Sequence, residues 1–115
     1  MNTIIAGSRN FCDYECLARV MARVSQEVDV TCVISGCARG ADTLGEEWAN
    51  KRGLPVMRYP ADWGKYGRAA GPRRNAEMAE VGDVLVAFLS EGSRGTADMI
   101  HRARMAGMIV FVEEV

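Results

Sequence analysis

Short apolar runs alternate along this chain with longer stretches in which apolar residues recur every three or four positions. The runs Thr3–Ala6 and Val30–Ile34 are each followed by a polar segment with glycine and then by such a stretch. The alternation continues through the runs Pro55–Tyr59, Asp83–Phe88 and Met108–Val112. This succession predicts an α/β fold, with five parallel strands and helices on both faces of the sheet.

Apolar stripes and end signals locate the helices. They are predicted over residues of about 13–28, 41–52, 72–81 and 96–106, with Asp13 as an N-cap and Pro72 in a first turn. Residues 61–70 show no clear period and are predicted to form a long loop. Right-handed crossovers then favour a Rossmann-like three-layer sandwich with strand order 3-2-1-4-5.

Length and composition limit the classes of protein. A chain of 115 residues suits one domain over residues 1–115, and 49% hydrophobic with 25% charged residues is typical of a folded protein. A net charge of −1 argues against coating nucleic acid by bulk charge. No apolar run approaches the ~20 residues of a membrane span and no leader is evident, so we expect no membrane partner and a cytoplasmic location.

The cysteines and the histidine predict neither a metal site nor a cofactor. Cys12, Cys16, Cys32 and Cys37 contain no C-x-x-C pair, and His101 is far from them in sequence. Such spacing is not typical of zinc ligands, and free thiols are the expectation for a reducing compartment.

Three loops that follow predicted strands carry glycine, small polar residues and arginine. They are Gly7–Arg9, Ser35–Asp42 and Ser90–Thr96. In open parallel sheets, ligands bind beyond the carboxyl ends of the strands where the strand order reverses, here between strands 1 and 4. The three loops are therefore predicted to converge on one rim of the sheet.

The chemistry of these loops favours a phosphate ligand. Glycine lets the backbone approach closely, helix amino ends present free N–H groups, and Arg9, Arg39 and Arg94 add cationic donors. Neither G-x-x-x-x-G-K-[ST] nor G-x-G-x-x-G after the first strand is present, which argues against a P-loop nucleoside triphosphatase and an ordinary dinucleotide dehydrogenase.

The segment Gly71–Asn75, which opens the third predicted helix, adds a basic cluster to the rim. Arg74 could contact the ligand or could simply be solvated at the helix start. Asp42 could be a favourable charge at the amino end of its helix, an acceptor for a ribose hydroxyl, or a catalytic carboxylate. Trp63 and Tyr66 suit either base stacking or packing of their loop. The predicted ligand-binding residues are Gly7, Ser8, Arg9, Ser35, Gly36, Arg39, Gly40, Asp42, Arg73, Asn75, Gly92, Gly95 and Thr96. No catalytic residue is assigned.

Together these motifs resemble the YspA-like branch of the SLOG superfamily. The resemblance is carried by Gly7–Arg9, Ser35–Asp42, Tyr59–Trp63, Ala70–Asn75 and Gly95–Thr96, in that order along nearly the whole chain. It implies a Rossmann-like fold and a nucleotide-type ligand. It also implies kinship with the Lonely Guy phosphoribohydrolases and with the DNA-processing protein A family, and some tendency to form homo-oligomers.

Departures from those relatives bear on activity. The Lonely Guy motif G-G-x-G-T-x-x-E has a catalytic Glu, whereas Met99 stands at the matching position here and Asp98 lies one residue early. We therefore predict a module that binds a nucleotide or nucleotide-derived phosphate ligand, as a sensor, carrier or sequestering protein. The alternatives are an N-glycoside hydrolase of nucleoside 5′-monophosphates, with Asp42 or Glu46 as its carboxylate, and a binder of single-stranded nucleic acid.

Overall fold

Five parallel strands form one sheet in a computed structural model that describes residues 1–115. They are β1 (Asn2–Gly7), β2 (Cys32–Ser35), β3 (Val56–Arg58), β4 (Val84–Leu89) and β5 (Ile109–Glu114). The order is β3-β2-β1-β4-β5 and every neighbouring pair is parallel. The predicted order 3-2-1-4-5 is confirmed.

Helices cover both faces of the sheet. They are α1 (Tyr14–Glu27), α2 (Ala41–Lys51), α3 (Trp63–Tyr66), α4 (Ala70–Val81) and α5 (Arg94–Met105), and a 3₁₀ turn (Gly67–Ala69) links α3 to α4. The first two helices pack with one core cluster, which includes Ile5 and Val86, and α4 and α5 with the other, which includes Ile4 and Leu85. Side chains of a strand point alternately to the two faces, so the central strands supply both clusters. The predicted three-layer α/β architecture is confirmed.

The first helix shows how the local sequence determines an element. The carboxylate of Asp13 accepts a hydrogen bond from the Cys16 amide at 3.0 Å, as expected of an N-cap. Leu17, Met21 and Val24 lie on the buried side of the helix, which is the apolar stripe read from the sequence. The helix ends at Glu27, and Val28 is already extended.

The segment before α4 differs from the prediction. Residues 61–70 were expected to form a loop, but α3 and the 3₁₀ turn occupy most of it. The Asp62 carboxylate accepts a hydrogen bond from the Lys65 amide at 3.0 Å and so caps this single turn. A helix of four residues is too short to show a 3.6-residue period, which is why the pattern of apolar residues could not reveal it. The next helix starts at Ala70, with Pro72 in its first turn.

No helix is long and apolar enough to cross a membrane.

Candidate ligand-binding cleft

A cleft of about 800 Å³ opens at the carboxyl ends of β1 and β4. These strands are neighbours in the sheet, but the chain leaves β1 towards one face and β4 towards the other. The connections therefore diverge and leave a crevice between them, as open parallel sheets do where the strand order reverses. The cleft is lined by the loop after β1, the start of α4, and the loop and first turn after β4.

The loop after β1 is held between β4 and α2. The Ser8 amide donates to the Phe88 carbonyl at 3.1 Å, and the Ser8 carbonyl accepts from the Ala41 amide at 3.2 Å. A Cβ at Gly7 would lie 2.5 Å from the Phe88 carbonyl oxygen and 2.9 Å from the Ala41 Cβ. Only glycine therefore allows β1 to pass this closely between its neighbours, and the close approach fixes the floor of the cleft.

The Ser35–Asp42 loop is shaped by hydrogen bonds that do not face the cleft. Ser35, almost fully buried, donates from its hydroxyl to Glu46 Oε2 at 2.6 Å and accepts from the Cys37 amide at 3.1 Å. Gly40 has φ +82°, in the left-handed region that favours glycine, and a Cβ there would collide with the Ser8 carbonyl. Ser35 and Gly40 therefore support the loop and line no part of the cleft.

Asp42 is the buried carboxylate of the cleft. Its side chain lies in the first turn of α2, is 5% exposed, and accepts a hydrogen bond from the Ala38 amide at 3.1 Å. Burial raises its pKa to about 6, against the lowering influence of the Ala38 amide and the Arg74 charge. A carboxyl with a pKa near neutrality can exchange a proton with a bound ligand.

Asn75 joins α4 to the amino end of α5. Its amide nitrogen donates to the Gly95 carbonyl at 3.2 Å and to Asp98 Oδ2 at 3.0 Å, and its amide oxygen accepts from Arg74 Nε at 3.0 Å. The Arg74 Nη1 atom donates in turn to the Gly36 carbonyl. This chain of hydrogen bonds fixes the β2, α4 and α5 sides of the rim relative to one another.

The amino end of α5 faces the cleft without a capping side chain. The Ser93 hydroxyl makes no cap bond and pairs with Thr96 Oγ1 at 2.7 Å. The amides of Arg94, Gly95 and Thr96 have no acceptor within the chain. Gly95 has open space where a Cβ would be. This helix end therefore presents free N–H groups to the cleft, which is the arrangement that binds anions.

Arginine and tryptophan side chains complete the wall. Arg9, Arg68 and Arg94 line the cleft and form no ion pair. The Arg9 guanidinium lies 5.4 Å from the ring centre of Trp63, whose side chain is 49% exposed at the cleft. No group of three His, Cys, Asp or Glu side chains is placed to hold a metal ion.

The structure brings most of the sequence-predicted residues to one place. Those that line the cleft are Gly7, Ser8, Arg9, Asp42, Asn75, Gly92, Gly95 and Thr96. Gly36 and Arg39 line a neighbouring pocket. Arg73 lines neither pocket, because its guanidinium lies over the Tyr66 ring at 4.0 Å. That contact depends on the short helix α3, which the sequence did not reveal.

Several cleft residues were missing from the predicted set. They include Asn10, Arg68, Gly71 and Ser93. Trp63, Arg74 and Arg94 were considered as contacts from the sequence but were not assigned, and they also line the cleft. Asn10 directly follows the Gly7–Arg9 loop, and Ser93 and Arg94 lie within the third loop, so position next to a glycine-rich turn was the signal available for them. The direction in which Trp63 and Arg68 point had no such signal, since it is set by α3 and the 3₁₀ turn.

The carboxylate pattern near α5 differs from that of a Lonely Guy hydrolase. Met99 is 1% exposed and packs in the core cluster beneath the cleft. Asp98 Oδ2 accepts from Asn75 and from Arg102 Nε at 2.9 Å, so this carboxylate ties α4 to α5. Met99 has no carboxylate and the Asp98 carboxylate is already paired, so these two positions offer no free carboxylate.

A family model described as YspA, cpYpsA-related SLOG family (YAcAr) matches residues 1–66, which span β1 to α3. The chain belongs to this SLOG family. The Gene 61 protein of Mycobacterium phage D29 is 39% identical over 84 residues, which cover 68% of this chain and 67% of that protein. The resemblance seen in the Gly7–Arg9 and Ser35–Asp42 motifs is thereby confirmed.

A solved structure shares the fold of this SLOG chain. DNA processing protein A (DprA) from Streptococcus pneumoniae superposes with a TM-score of 0.73 over 96% of this chain, at 18% sequence identity. This chain spans about half of that protein, 49% of its length. The likeness supports the Rossmann-like architecture.

Proposed function

We propose that this protein binds a nucleotide or nucleotide-derived phosphate ligand in the cleft between the ends of β1 and β4. The observation that carries the proposal is the uncapped amino end of α5, where the amides of Arg94–Thr96 face a cleft that also holds unpaired arginines. A phosphate there would accept hydrogen bonds from backbone N–H groups and gain from the partial positive charge of the helix end.

The rest of the cleft suits the nucleoside. Trp63 offers an aromatic surface for a base, and Asp42 offers an oxygen acceptor for a ribose hydroxyl. Ligand pockets are about 300–1,000 Å³ for molecules of drug size, and this cleft of about 800 Å³ is within that range. Family membership supports a nucleotide-related ligand, and the cleft geometry supports phosphate as the group that anchors it.

Calorimetric titration of the purified protein with nucleoside mono- and diphosphates, NAD, ADP-ribose and cyclic nucleotides tests the proposal. We expect the Arg94→Ala variant to bind the best ligand about tenfold more weakly, because it loses a charge-assisted contact beside the phosphate. Arg104→Ala is the matched control, since Arg104 is exposed in the last turn of the same helix. The proposal fails if no nucleotide binds the folded protein, or if both variants bind equally well.

A second function, hydrolysis of the N-glycosidic bond of a nucleoside 5′-monophosphate, is favoured by the burial of Asp42 in the cleft. As a carboxylate it would take a proton from water while the water oxygen bonds to C1′ and the C1′–N bond breaks. The protonated Asp42 would then return this proton to the leaving nitrogen, so that the base departs as a neutral molecule. Glu46, the other carboxylate considered, is occupied by Ser35 and by Arg58 Nη2 at 3.5 Å, and it does not line the cleft.

The hydrolase function is tested by incubating the protein with nucleoside 5′-monophosphates and detecting free base by chromatography. Free base should appear with the parent protein, and Asp42→Asn should lower its rate at least a hundredfold. Glu47→Gln is the control, because Glu47 is exposed and pairs only with Lys51. Nucleotide binding without release of base would leave the binding module as the function.

A further inference from the structure

A second pocket, of about 470 Å³, adjoins the cleft at the carboxyl ends of β2 and β3. Four residues line both cavities and so form the boundary between them: Arg9, Ala38, Trp63 and Arg74. The remaining lining comes from Gly36, Cys37, Arg39, Pro60 and Ala61. The two cavities are therefore continuous parts of one rim, divided by the Arg9–Trp63 pair.

The charge of this second pocket differs from that of the cleft. Its lining contains three arginines, Arg9, Arg39 and Arg74, and no carboxylate. Arg9 and Arg39 form no ion pair, whereas the cleft places Asp42, Glu91 and Asp98 among its arginines. Burial raises the pKa of Asp42 while the charges of Arg74 and Arg9 lower it, so these two arginines already act on a carboxyl. Arg39 lines only the second pocket and forms no ion pair. An arginine without a paired carboxylate attracts an anion, and the planar guanidinium suits phosphate.

The boundary itself suits a base. The Trp63 side chain is 49% exposed although Arg9 lies over its ring, and the ring edge rests near Gly71, where a Cβ would be 3.3 Å from Trp63 Cη2. A fixed, half-exposed indole provides a stacking surface for a base. It stands between the anion site at α5 and the arginines of the second pocket.

We propose that the ligand is a 5′-phosphorylated dinucleotide, with one phosphate at the amino end of α5, the other among Arg9, Arg39 and Arg74, and the nucleoside between them against Trp63. This inference rests on the proposed nucleotide-binding function and names its ligand class. A mononucleotide would fill the cleft and leave the second pocket to solvent, whereas two phosphates separated by one nucleoside engage both cavities.

Calorimetry with matched ligands tests the inference. The probes are AMP, GMP and UMP against the 5′-phosphorylated dinucleotides pApA, pGpG and pUpU, with the parent protein, Arg39→Ala and Arg94→Ala. We expect one dinucleotide to bind at least tenfold more tightly than its mononucleotide. Arg39→Ala should remove that advantage and leave the mononucleotide affinity unchanged within twofold, because Arg39 contacts only the second pocket. Arg94→Ala should weaken both ligands.

The outcomes separate this inference from the function on which it rests. Tight mononucleotide binding with no gain for the dinucleotide, or an equal loss for both ligands in Arg39→Ala, overturns the dinucleotide and leaves nucleotide binding standing. Failure of all six probes to bind overturns the dinucleotide, and nucleotide binding itself fails only if the diphosphates, NAD, ADP-ribose and cyclic nucleotides also do not bind. A further tenfold gain for a pentanucleotide would make the ligand a single strand and would also overturn the dinucleotide. Unchanged melting temperature of Arg39→Ala, an exposed position, verifies that folding is intact.

Discussion

Asn75 has a larger role in the geometry of the cleft than its size suggests. The side chain is 4% exposed and satisfies both its oxygen and its nitrogen with partners on Arg74, Gly95 and Asp98. A buried amide with all these partners holds α4 and α5 in one relation. This side chain therefore determines where the end of α5, the proposed phosphate site, lies relative to Arg74.

Asn75→Ala should therefore destabilise the protein and loosen the cleft. We expect the free energy of unfolding to fall by about 1–3 kcal/mol, since buried polar partners lose their hydrogen bonds. Urea denaturation provides the measurement. Asn50→Ala, at an exposed position of α2, is the control and should change stability by less than about 0.5 kcal/mol. Equal stability of the two variants would contradict the role given to Asn75.

Asp42 should make stability depend on pH. Its pKa rises from 3.8 to about 6 on folding, so the folded protein holds this proton more tightly than the unfolded chain. The stability that the folded protein gains from the protonated Asp42 is fully present below about pH 4 and is lost as the pH rises through 6. A shift of this size corresponds to about 3 kcal/mol.

The Asp42→Asn variant should lack this contribution to the pH dependence. Unfolding free energies measured in urea at pH 4, 5, 6 and 7 should fall less steeply than those of the parent, leaving the variant relatively more stable at pH 7. Asp29→Asn, at an exposed position, should retain the parent slope. If the plots of unfolding free energy against pH are parallel for the parent and Asp42→Asn, burial of the ionised Asp42 does not lower the stability of the folded protein.

For single residues, the sequence identified which residue types lie at the rim but not where their side chains point. Gly7, Asp42 and Thr96 were expected at the rim and line the cleft. Arg73 was expected there too, but it lies over Tyr66. The direction of a long arginine side chain depends on neighbours that are placed by tertiary contacts, so spacing along the chain cannot give it.

Among the elements, α2 packs unusually close to β1. A Cβ at Gly45 would lie 2.8 Å from Ile5 Cγ2 and 2.9 Å from Ile5 Cβ. A branched Ile side chain on a central strand cannot move away easily, because it is packed on all sides. Glycine at this helix position therefore sets the distance between helix and sheet, and with it the position of Asp42 one turn earlier.

The substitution Gly45→Ala should destabilise the fold even though alanine is the better helix former. We expect a loss of about 1–3 kcal/mol from overpacking, measured by thermal denaturation. Gly95→Ala offers the matched comparison within α5, because a Cβ there meets open space. That variant should be neutral or up to about 1 kcal/mol more stable, while it narrows the cleft. Similar stabilities of the two variants would refute the packing argument.

Element positions were largely predictable. The stripe of α1 and the N-cap Asp13 were readable because a helix of 14 residues repeats its pattern several times. The single turn Trp63–Tyr66 was not, although its capping residue Asp62 is visible in the sequence. An aspartate before a glycine-bearing segment is equally typical of a turn, so the cap alone could not decide between them.

In the whole molecule, stability should be concentrated in the central strands. Leu85, on β4, is fully buried between β1 and β5, whereas Val112 lies on the edge strand β5 and is 38% exposed. Leu85→Ala should cost about 2–5 kcal/mol because it leaves a cavity, and Val112→Ala should cost much less. Chemical denaturation of both variants compares them. A larger loss at Val112 would indicate that the edge strand is covered, for example by a second copy of the chain.

The sequence by itself determined the α/β class and the strand order, and it predicted which loops meet at the rim where the cleft lies. Buried parallel strands require continuous apolar runs, and connection rules then leave few arrangements, so these features follow from local patterns. Only the tertiary structure decided how the rim divides. Gly36 and Arg39 line the second pocket, whereas Ser35 and Gly40 support a loop. The amino end of α5 presents free amides. These outcomes depend on contacts between residues far apart in the chain, which no local pattern records.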